Sequence, residues 1–137
     1  MVSMPVDLKM KVLDQYSKVH VLRDLLEFVS DSVDRGVVSN AEAKEMIDSR
    51  SMIPAPTLGC YGKSFVEIFS LLEQAAVYFL ARNYQPRGGY QRRVLGFCLE
   101  SLHSYLLLKR LGFPKLRHEN FGWQVVVSDT AMVQTTI

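Results

Sequence analysis

Between Lys63 and Tyr84 the chain reads Lys-Ser-Phe-Val-Glu-Ile-Phe-Ser-Leu-Leu-Glu-Gln-Ala-Ala-Val-Tyr-Phe-Leu-Ala-Arg-Asn-Tyr, and this stretch limits the possible folds more than any other. Phe65, Ile68, Phe69, Leu72, Ala75, Ala76, Phe79 and Leu80 recur three and four residues apart, the spacing of one helical face. Val66, Leu71, Val77 and Tyr78 make much of the opposite side apolar as well. A helix apolar most of the way round is covered on more than one side, so the pattern predicts the central helix of a helical domain.

The flanking segments continue the helical theme. Tyr16, Val19, Leu22, Leu25, Leu26, Val29 and Val33 keep helical spacing and predict one long helix over residues 5–34, bent or broken near Lys18 to Arg23, where polar residues interrupt the stripe. Pro5 suits a first turn, where a missing N–H costs nothing, and Gly36 suits a stop. Ser39-Asn40-Ala41-Glu42 has capping-box spacing and opens a short helix through Asp48, with Ala43, Met46 and Ile47 inward. Pro54 and Pro56 make 51–62 a loop. Pro86, Gly88 and Gly89 break the central helix. Tyr90 to Leu111 predicts another strong helix, with Val94, Phe97, Cys98, Leu102, Tyr105 and Leu106 toward the core and Gly112 and Pro114 ending it. Trp123 to Val127 is short and β-branched, which predicts a strand or extended arm.

The fold expected is all-α, a compact bundle of four to five helices with a short extended C-terminal tail. Residues 1–128 form its single domain and 129–137 a flexible tail. A chain of 137 residues is long enough to bury a core of that kind. The two cysteines, Cys60 and Cys98, are too few for a disulfide framework and predict reduced thiols in an intracellular setting, cytoplasmic or nuclear. Asp7 and Lys9 stand where a signal peptide would need an apolar run, and Glu67, Glu73 and Gln74 argue against a membrane span.

Charge is uneven along the chain. Residues 1–60 hold seven Lys/Arg against nine Asp/Glu, whereas residues 81–120 hold eight against two. Such a split suits an acidic partner such as nucleic acid, two halves of one protein attracting each other, or a dimer contact. Arg92, Arg93, His103 and Arg110 fit one stripe on the last long helix, with Arg87, Lys115 and Arg117 on flanking loops and Tyr84, Tyr90 and Phe113 interleaved. Cations neutralise phosphate and aromatic rings stack on unpaired bases, so Arg87, Arg92, Arg93, Arg110, Lys115 and Arg117 are the candidate RNA- or DNA-binding residues.

No catalytic set is complete. Gly59-Cys60-Tyr61-Gly62-Lys63-Ser64 approaches a phosphate loop, but Thr57 holds the first glycine position and the prolines before it exclude a central parallel strand. Glu100 and His103 lie one turn apart, a spacing more typical of an exposed helix contact than of an oriented base. The three histidines do not converge in the sequence, and no zinc or cofactor motif is present. The function expected is a non-enzymatic protein-interaction or oligomerisation module, partnered by another protein or by itself, with nucleic-acid binding as the alternative. The terminal Thr135-Thr136-Ile137 resembles the tails that PDZ domains accept by β-augmentation, provided it is accessible.

Overall fold

The computed structural model describes residues 5–59, 61–82, 86, 88–112, 123–127 and 132–136. Five α-helices among them build an all-α core: α1 (Val12–Val19), α2 (Leu22–Asp34), α3 (Asn40–Asp48), α4 (Val66–Ala81) and α5 (Val94–Leu111). Short 3₁₀ turns at Pro56–Leu58, Lys63–Phe65 and Gly89–Arg93 lead the chain between or into them.

The single helix expected over residues 5–34 is replaced by three pieces. Val6–Asp7 is strand β1, paired antiparallel with β2 (Ser51–Met52), so that Val6 faces Met52 and Asp7 faces Ser51. The Leu8 N–H donates to the Arg50 carbonyl at 2.8 Å and the Val12 N–H to the Ser49 carbonyl at 2.7 Å, which ties the entry to α1 to the exit from α3. Asp7 Oδ1 accepts from the Lys9 N–H at 2.8 Å, and Lys9 takes φ 61°, so a local side-chain bond competes with helix there. The break between α1 and α2 falls inside the expected interval, at the extended residues His20 and Val21. The His20 ring stacks on Phe97 of α5 with centroids 4.0 Å apart.

Helix α2 ends as its sequence requires. Gly36 has φ 81°, its N–H reaches the Val33 carbonyl, and the Val37 N–H reaches the Ser32 carbonyl, closing a Schellman motif with buried Val37 behind it. Both bonds of the capping box are made at α3: Glu42 N–H to Ser39 Oγ at 3.1 Å, and Ser39 N–H to Glu42 Oε2 at 2.8 Å. Gly112, with φ 78°, closes α5.

The expected centre of the bundle is displaced by one helix. Every residue from Ser101 to Leu108 of α5 is buried, because α2, α3, α4, β2 and the Pro56–Leu58 turn all pack around it. Helix α4 buries Ile68, Ala75 and Phe79 against α2 and α5 but is open on its far side. Phe69 and Leu80, expected on the buried face, are 42% and 50% exposed. The most apolar helix therefore lies at the edge of the bundle, and the enclosed helix is the one that carries His103, Ser101 and Ser104. Outside the helical core, β3 (Trp123–Val127) and β4 (Met132–Thr136) form an antiparallel hairpin. Thr135 faces Gln124 and Thr136 faces Trp123, the kind of pairing that competes with an accessible PDZ-type tail; Ile137 lies outside the described residues.

Candidate functional site

The open side of α4 carries a narrow apolar stripe. Val66, Phe69, Val77 and Leu80 are 62%, 42%, 61% and 50% exposed, with exposed Glu73 among them. At about 100° per residue, these five positions fall within roughly 80° of the helix circumference. The buried positions Ile68, Ala75 and Phe79 lie on the opposite side, so core packing leaves the stripe uncovered. The inner edge of Phe69 is fixed by ring contacts with Tyr61 at 5.2 Å and His103 at 5.5 Å. Beside the stripe, Arg35 at the end of α2 and Glu73, Gln74, Val77, Tyr78 and Ala81 of α4 line an open depression of about 290 Å³. Lys63–Ala81 is also long and apolar enough to cross a membrane by length and composition.

The basic residues do not form the expected stripe. Arg92 and Arg93 are exposed on the turn before α5, with the Arg93 guanidinium 5.7 Å from the Phe97 ring centre. Arg110 lies at the other end of the helix, roughly 25 Å away at about 1.5 Å per residue. Its guanidinium donates to the Ser64 carbonyl at 3.1 Å and lies over Phe65. His103, expected between them, is buried, because α5 is enclosed along its middle. Arg87, Lys115 and Arg117 lie outside the described residues. Part of the charge asymmetry is used internally: Arg82 pairs with Asp31 at 3.3 Å and Asp34 at 3.4 Å, and Lys109 pairs with Glu42.

Glu100 and His103 do not act together. Glu100 Oε1 accepts from the Ala55 N–H at 3.1 Å and so holds a residue whose φ of 46° is costly for alanine. Neither nitrogen of His103 has a hydrogen-bond partner among the described residues, and burial holds its imidazole below the usual range. Burial thus favours the neutral ring, which has Tyr61 and Phe69 around it rather than a carboxylate. Ser104 Oγ accepts from the Ile53 N–H at 2.7 Å, and Ser101 Oγ donates to the Phe97 carbonyl, so neither serine is presented as a nucleophile. Burial pushes the Cys98 thiol up to about 12, which keeps it protonated and unreactive.

Gly62 precedes a 3₁₀ turn, and β2 before it is a two-residue antiparallel strand, so the phosphate-loop context is not built. A cavity of about 430 Å³ is lined by Glu45, Asp48, Ser49, Arg50, Ser51, Tyr105, Leu108 and Lys109. Its acids are already engaged: Asp48 with Lys11 and Lys44, and Glu45 with the Tyr105 hydroxyl. No group of His, Cys, Asp and Glu suited to a metal ion occurs among the described residues.

Comparison with protein-family models, curated proteins and solved structures finds no match for this chain. The two-sided apolarity of 65–80 signals the stripe on α4 in the sequence. Arg35 carries no such signal, since its place on the same depression as Glu73 depends on α2 packing against α4.

Proposed function

We propose that the chain is a non-enzymatic helical interaction module that docks a protein surface on the open face of α4. One observation supports this most: the helix richest in apolar residues turns Val66, Phe69, Val77 and Leu80 outward, directly away from its own core. Singly exposed apolar residues such as Val19 and Leu26 are ordinary, but four along one helix face, interrupted by Glu73, are the chemistry of an interface. A photocrosslinking side chain at position 77 of the full chain, expressed in its native host, tests the reading. A discrete polypeptide adduct at 77, absent when the same group replaces Lys18, is the expected result. Equal labelling at both positions, or only lipid at 77, contradicts it.

Nucleic-acid binding is the second reading, supported by the exposed neighbours Arg92 and Arg93 on one turn. On that reading, replacing both with Ala weakens binding across sequences and lowers the salt slope by about two. Unchanged affinity and salt slope exclude the pair as phosphate contacts.

A further inference from the structure

The row of exposed positions on α4 reads the same from either end. Val66, Phe69, Glu73, Val77 and Leu80 are separated by steps of three, four, four and three residues, with Glu73 at the midpoint. Two such helices laid antiparallel about a twofold axis at Glu73 bring Val66 against the other copy's Leu80, and Phe69 against its Val77. All the outer positions then match apolar to apolar. An isologous interface needs one patch that is complementary to itself, and this patch is.

The axis is the one place where self-pairing brings like charges together. Arg35 lines the same depression as Glu73. Rotation about an axis lying in the interface keeps both Arg35 side chains on the same edge of the seam, so two guanidinium groups flank two carboxylates. A lipid surface fits less well, because helices that lie on membranes carry Lys and Arg beside the apolar row, whereas this one has Glu73 in the row and Glu67 and Gln74 beside it. Antiparallel packing also opposes the two helix dipoles favourably.

We infer that α4 is the seam of a homodimer, paired antiparallel about Glu73, with Arg35 of each copy compensating the paired carboxylates. This rests on the α4 face being a docking surface and names a second copy of the chain as its occupant.

Sedimentation of the full chain, with crosslinking through introduced cysteines in a Cys60→Ser background that leaves only buried Cys98, tests the inference. The expected mass rises with concentration from 15.6 kDa toward twice that value. Val77→Asp or Leu80→Asp, both at exposed positions, weakens self-association by more than about tenfold with helicity unchanged. Glu73→Cys crosslinks to itself. Val66→Cys does not, but crosslinks when mixed with Leu80→Cys. Glu73→Arg weakens the dimer, and adding Arg35→Glu restores it. A monomer at every concentration overturns the inference, as does self-crosslinking of Val66→Cys, which signals a parallel pair. If the monomer still yields an adduct with a different polypeptide from position 77, the docking face stands and only self-pairing fails. If the monomer binds anionic vesicles through Val77, self-pairing fails and the face belongs to a membrane.

Discussion

His103 shows how much a single enclosed residue controls. Its imidazole is buried in the middle of α5 against Tyr61 and Phe69, and burial lowers its pKa from the ordinary 6.5. The unfolded chain therefore binds more protons than the folded one just below that value. Stability from this group is complete above about pH 6.5 and is lost as pH falls toward the depressed folded value. His20 is shifted down by burial too and contributes with the same sign. Urea midpoints should fall between pH 7 and pH 5, before the paired carboxylates Glu42 and Asp48 titrate, since their pKa values are lowered by Lys109 and Lys44 respectively. His103→Leu should reduce that slope and leave stability at pH 7 equal or about 1 kcal/mol higher, because two unbonded polar atoms leave the interior. An undiminished slope in the variant contradicts this. From the sequence, His103 looked like an exposed partner of Glu100. The spacing was right, but whether a turn faces water depends on what packs there, and residues distant in the chain decide that.

Elements defined by local chemistry were legible, and those made by distant pairing were not. Ser39 and Glu42 lie three residues apart, and both of their bonds form, so the start of α3 could be read directly. Ser39→Ala should cost about 1 kcal/mol in chemical denaturation, and a loss below a few tenths would show the box to be idle. Polar residues between Lys18 and Arg23 likewise marked the α1–α2 break. Strand β1 escaped notice because its partner, Ser51–Met52, is more than forty residues away. The order of α4 and α5 escaped for a related reason. Apolar composition says how much a helix avoids water, not whether its own chain or another covers it. Helix α5 is more mixed in sequence yet wholly enclosed along 101–108, and α4 is left with a dry face to spare.

At the scale of the molecule, the acidic and basic segments meet. Arg82 reaches Asp31 and Asp34 from α4's end to α2, and Lys109 reaches Glu42 from α5 to α3. These partly exposed pairs are each worth little in stability, but they remove cations from any positive surface. What remains most distinctive is the apolar row on α4 and its symmetry about Glu73. Hydroxyl-radical footprinting across a dilution series tests this most directly. If two copies close on that face, Phe69, Val77 and Leu80 become protected together as concentration rises, while exposed Val19 and Leu26 stay equally reactive. If all five residues react equally at every concentration, the face is not the seam of a dimer.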